Sequence, residues 1–114
     1  MRFQVTTFCK VLGVGGFLLI FGLALQAGPA PDGGDLFKGK CAMCHGADGK
    51  GYAALKTPDF TDPKVQASLT DQEITDTIKN GKKGTAMPAF ADKLSDDQIQ
   101  SLVKYIRSLD SSKK

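Results

Sequence analysis

The sequence has no tryptophan, a single histidine and only 8% aromatic residues. With little aromatic bulk, a chain of 114 residues has little from which to build a large core. A domain this short buries a smaller share of its surface than a large one does, so it usually needs a disulfide, a metal or a cofactor to reach useful stability. A strong excess of one charge is also missing. The net charge is +3, but Arg2 and Lys10 lie in a separate front segment, and the rest is near neutral, with Lys and Asp interspersed. Nucleic acid binding normally calls for a clustered basic face, so the charge pattern argues against it. With 41% hydrophobic and 24% charged residues, neither disorder nor a multi-span membrane protein fits. One globular domain is the expectation.

The front segment is where charge disappears altogether. Arg2 and Lys10 bracket a short start, an uncharged apolar run follows from Val11 to Leu25, and small residues come next. This order is that of a secretory signal, with a cut expected after Ala27, so that residues 1–27 are removed and 28–114 form the domain. The alternative is an uncleaved anchor through residues 11–31, since the stretch approaches the ~20 residues of a bilayer span. Its glycines and the prolines at 29 and 31 weaken a spanning helix. Both readings put the domain outside the cytoplasm, periplasmic or anchored facing the periplasm. Cys9 precedes the apolar run and is given no role.

What the sequence does contain is Cys41-Ala42-Met43-Cys44-His45. Two thiols at this spacing share one face of a helical turn, where they can add to the vinyl groups on one edge of a haem, and the next residue can place its imidazole beneath the iron. Other uses of the pair fit less well. A thioredoxin-like site needs a preceding strand and a βαβ pattern. A structural zinc site needs four ligands. A disulfide closing so small a loop constrains the unfolded chain little and leaves His45 unexplained.

The second axial ligand follows by elimination. His45 is the only histidine, Met1 belongs to the front segment, and Met43 is held between the two cysteines. Met87 remains. It lies in a loop of about a dozen residues, long enough to suspect a function, and Pro88 biases it toward an extended conformation. The competing role for Met87 is that of a core filler.

The rest reads as helices separated by loops. A short helix from Asp32 to Lys40 carries Leu36 and Phe37 and leads into the cysteine turn. Thr70 and Glu73 form a capping box ahead of Ile74 and Ile78, with Gly81 as the stop. Ser95 and Gln98 form a second one, ahead of an apolar stripe through Ile99, Leu102, Val103, Ile106 and Leu109. Between His45 and Thr70 no regular element is expected. A loop that long is unusual in a compact domain unless its apolar residues, such as Tyr52, Leu55 and Phe60, pack against a cofactor.

From roughly Asp32 to Leu109 the chain resembles the class I cytochrome c family, in particular its short bacterial members. The resemblance rests on the ordered set of Gly33 and Phe37, the haem motif, Met87-Pro88, and Leu102 with Tyr105. It implies an all-α cytochrome c fold of about three main helices, with long loops wrapped around one covalently attached haem. It implies that the two terminal helices cross through Gly33, Phe37, Leu102 and Tyr105, and that the Pro58 carbonyl accepts the second ring N–H of His45. The expected site is therefore Cys41 and Cys44 for attachment, His45 and Met87 as axial ligands, and Pro58 behind His45. The expected function is one-electron transfer between redox proteins by a monomer that is not an enzyme. A small haem peroxidase or a haem-based redox or gas sensor is the alternative, and either would need an open iron position.

Overall fold

The computed structural model describes residues 31–114. The front segment, with its expected cut after Ala27, the tether reading and Cys9, lies outside the described residues. Among the described residues there are helices and loops but no strand, and no helix is long and apolar enough to cross a membrane.

Helix α1 spans Gly33–Lys40, and the Asp32 side chain caps it by accepting from the Gly34 amide at 3.0 Å. Asp35 in its first turn and Lys38 and Lys40 in its last complement the helix dipole. The Cys41 amide donates to the Phe37 carbonyl at 2.8 Å, which carries the chain almost without a break into α2, Ala42–His45. Gly46, at φ 78°, ends α2, a conformation that costs glycine nothing.

Helix α4 spans Asp71–Asn80 and α5 spans Asp96–Ser108, and both expected capping boxes are formed, Thr70 with Glu73 and Ser95 with Gln98. Each such cap is worth about 1 kcal/mol. Helix α3, Pro63–Ser68, differs from expectation. Asp62 caps it through the Lys64 amide and Pro63 occupies its first position, where the missing N–H costs nothing. A 3-10 turn at Ala53–Leu55 adds a second short element to the stretch read as structureless. The three main helices are thus α1, α4 and α5, with α2 and α3 as single short turns between them.

Helix α1 packs on α5, and α4 packs on α5 beside it. At the α1–α5 crossing Phe37 and Leu102 are fully buried, and the Phe37 and Tyr105 rings lie 5.2 Å apart at 48°. Gly33 sits against the Ser101 carbonyl and the Tyr105 Cβ. All four expected residues therefore meet at the crossing.

Candidate functional site

One side of this helical frame is a cavity whose wall includes Cys41, Cys44, His45, Pro58 and Met87. Cys41, α2 and the loop after it contribute the cysteines, His45, Leu55 and Phe60 to its wall, and α4 and the following loop contribute Ile74, Ile78, Met87 and Phe90.

The His45 side is built by a loop folded back on itself. The Gly51 amide donates to the His45 carbonyl at 2.7 Å, and a β-carbon on Gly51 would lie 2.6 Å from the Thr57 carbonyl and 2.8 Å from that of Pro58. Only glycine fits there. The Phe60 amide donates to the Gly49 carbonyl at 2.8 Å, bringing the Phe60 ring over His45 at 5.1 Å and 21°. The His45 Nδ1 is buried without a hydrogen-bond partner among the described residues. Pro58 lies on the same cavity wall as His45, although no hydrogen bond joins its carbonyl to Nδ1 among the described residues. Burial lowers the pKa of the imidazole, which favours the neutral form that can bind a metal.

Met87, on the same cavity wall, is half-buried against the core. Its amide donates to Thr85 Oγ1 at 3.2 Å, and its carbonyl accepts from the Lys82 amide at 3.3 Å. The loop is pinned further on, where the Phe90 amide donates to the Ile78 carbonyl at 3.0 Å. Met43, by contrast, is 89% exposed and does not reach the cavity. Tyr52 is also absent from the wall and stands half exposed, contrary to expectation, because its backbone is tied into a local turn with Thr57.

Cys41 and Cys44 are not joined as a disulfide. Burial raises the Cys41 thiol to about 11, with Lys40 opposing and Cys44 adding to the shift. A redox-active or zinc-binding cysteine needs the reverse, a thiol pushed down toward thiolate. Among the described residues no cluster of His, Cys, Asp or Glu could hold a metal ion unaided. An apolar slot with a neutral imidazole, a thioether and two unoxidised thiols on its walls suits a flat, hydrophobic ring that brings its own metal.

Sequence reasoning missed Gln66 and Arg107. Gln66 is buried and its amide nitrogen donates to the carbonyls of Phe60 and Ile106 at 2.6 and 2.8 Å, while Arg107 donates to its side-chain oxygen at 2.9 Å. A glutamine and an arginine carry no such signal in a linear pattern.

The helical frame and this slot define a class of protein, the c-type cytochromes. The chain belongs to the cytochrome c family: the family model described as cytochrome c oxidase, cbb3-type, subunit III, matches residues 28–106. It is 37% identical over 76 residues to a cytochrome c6 of Bryopsis maxima, an alignment covering 65% of this chain and 84% of that protein. It is 36% identical over 80 residues to the cbb3-type cytochrome c oxidase subunit FixP of Azorhizobium caulinodans, covering 70% of this chain and 27% of the relative, so it spans about a quarter of that protein's length. The solved structure of the c-type cytochrome KustC0563 superposes with a TM-score of 0.65 at 30% identity, covering 69% of this chain and 98% of that one. The fold, the cofactor and the function expected from sequence follow from this membership. The chain carries covalently bound haem c and works as a one-electron carrier.

Proposed function

We propose that Cys41 and Cys44 hold the haem through thioether bonds, that His45 and Met87 are its axial ligands, and that the domain exchanges electrons with redox proteins outside the cytoplasm. The observation that carries this reading is that one apolar cavity has all four side chains on its wall. With Nδ1 of His45 turned into the protein, Nε2 is the nitrogen left for iron. When bound, the haem supplies a ferrous/ferric couple, and a thioether on its open face favours the ferrous form and raises the potential.

The same arrangement argues against an enzyme. A peroxidase or a sensor needs an iron position that opens and side chains to act there, whereas Met87 closes that position and no second histidine exists in the sequence. Partner docking at the cavity is supported by Lys40, Lys56 and Lys82, which are among its lining residues. If these lysines steer an acidic partner, association slows as ionic strength rises.

Export through residues 1–27 and the fate of that segment belong to the same proposal. Mass spectrometry of the protein from native membrane and periplasmic fractions is expected to show one haem per chain and a cut after Ala27. A haem-free chain would overturn the reading. An uncut front would transfer it to the tethered form. In a spectroelectrochemical titration the protein should follow a one-electron Nernst curve.

A further inference from the structure

We infer that the ion pair between Lys79 and Asp96 is a latch on the Met87 loop, which makes Lys79 and Asp96 positioning residues for the sixth ligand. The inference rests on reading Met87 as that ligand. Helix α4 meets α5 through three polar links. Asp71 accepts from Arg107 Nε at 2.6 Å, Thr75 Oγ1 accepts from Gln100 Nε2 at 3.4 Å, and Lys79 Nζ pairs with Asp96 at 2.7 Å. Positions 71, 75 and 79 follow one another at steps of four, so they share one face of α4. The charges are reversed between its two ends, an acid of α4 on a base of α5 at one and a base on an acid at the other, which suits a single antiparallel register.

Lys79 is also where the Met87 loop is fastened. Its carbonyl accepts from the Ala91 amide at 3.2 Å, and the Ile78 carbonyl beside it accepts from the Phe90 amide at 3.0 Å. Where the loop leaves α4, the Lys82 amide donates to the Met87 carbonyl at 3.3 Å, and Gly81, at φ 71°, approaches so closely that a β-carbon would lie 2.7 Å from that carbonyl oxygen. The loop therefore hangs from the last turn of α4. The first turn is held firmly, because Arg107 bonds Gln66 and Leu69 as well as Asp71. Among the described residues the last turn has one polar tie to α5, the Lys79 pair with Asp96. Releasing that tie loosens the end of α4 and the loop on it without opening the core. An outside ligand can take the iron only in the fraction of molecules whose Met87 has moved away, so its apparent affinity follows that fraction.

The test is imidazole binding to the ferric holoprotein, followed by loss of the sulfur-to-iron charge-transfer absorption, in Lys79→Gln, Asp96→Asn and the double variant. Each single variant is expected to bind imidazole roughly two- to fivefold more tightly than wild type, the span that an exposed ion pair can supply. The double variant should bind no more tightly than the stronger single one, because both changes remove the same contact. Asp97→Asn is the control. Asp97 shares the first turn of α5 with Asp96 but makes no ion pair among the described residues, so the change costs a similar interaction with the helix dipole and should leave the affinity at the wild-type value. Equal affinities in Asp96→Asn and Asp97→Asn, or single effects that add in the double variant, would overturn the inference. So would an Asp96→Asn protein that unfolds at lower denaturant yet keeps the wild-type imidazole affinity, since the pair would then be merely structural. A wild-type ferric protein without the charge-transfer absorption would instead defeat the reading of Met87, whatever the variants do.

Discussion

Gly33 and Ser101 meet backbone to backbone, so that a β-carbon on Gly33 would overlap the Ser101 carbonyl group, lying 2.6 Å from its carbon. This approach is what lets Phe37 of α1 and Leu102 of α5 bury completely.

Gly33→Ala therefore sets the two helices apart or strains both backbones, and should cost about 3 kcal/mol in chemical denaturation. Gly39 lies in the same helix with nothing within 4 Å of its β-position, so Gly39→Ala should instead gain up to about 1 kcal/mol from the reduced freedom of the unfolded chain. Equal effects at the two sites would mean that the crossing does not depend on the missing side chain.

The acid limb of stability should be set by three carboxylates in local caps. Asp59 is held below its ordinary pKa by hydrogen bonds from the Thr61 side chain and amide, Glu73 by those from Thr70, and Asp110 by those from Ser112. Because each native value lies below the unfolded one, the stability they contribute is complete above the unfolded range and is lost as pH falls through the native values. Unfolding followed between about pH 5 and pH 2 should therefore show a decline that is shallower in Asp59→Asn and Glu73→Gln. A decline as steep in both variants as in wild type would assign acid lability to other groups.

Much of this structure is legible in the sequence, and the parts that are not share a cause. The Thr70/Glu73 and Ser95/Gln98 boxes are local signals, with donor and acceptor three residues apart, so they can be read without knowing the fold. The cysteine turn and Met87, for whose expected roles few residues could compete, line one cavity. Helix α3 has the start signal Asp62-Pro63, but it runs for only six residues, too short for an apolar stripe to announce it. Gln66 is less legible still, since its burial depends on the Phe60 and Ile106 carbonyls, the latter 40 residues away. Tyr52 misled for a related reason. Its type suited a cavity wall, but the turn it forms with Thr57 decides where it faces.

The fold should depend on the haem, because residues of α1, α2, α4, α5 and the Met87 loop meet around the cavity it is proposed to fill. The haem-free chain made without the attachment machinery gives a direct measurement. In the folded arrangement Cys41, raised from 9.0 to about 11, would hold about a hundredfold less thiolate at pH 8 than an ordinary thiol and alkylate correspondingly slowly. If the haem-free chain is unfolded, Cys41 and Cys44 should react at similar, ordinary rates, and helicity by circular dichroism should be low. Strong protection of Cys41 together with a cooperative unfolding transition would show that the polypeptide folds alone.

Met87 is the side chain proposed to make this a carrier and not a reactive haem, since among the described residues it is the one methionine on the cavity wall. Met87→Ala should keep the covalent haem, because the attachment is proposed to run through Cys41 and Cys44. Packing loss at this half-buried position should cost about 2 kcal/mol. The iron would then take water or an added ligand, the potential should fall, the sulfur-to-iron charge-transfer absorption of the ferric form should vanish, and carbon monoxide should bind. Met43→Ala is the matched control. Met43 is 89% exposed, so its removal should change none of these properties. If Met43→Ala lost the charge-transfer band while Met87→Ala retained it, the ligand assignment would be wrong. If neither variant changed the spectrum or the potential, the sixth ligand would not be a methionine at all, and the argument against an open, reactive iron would lose its main support.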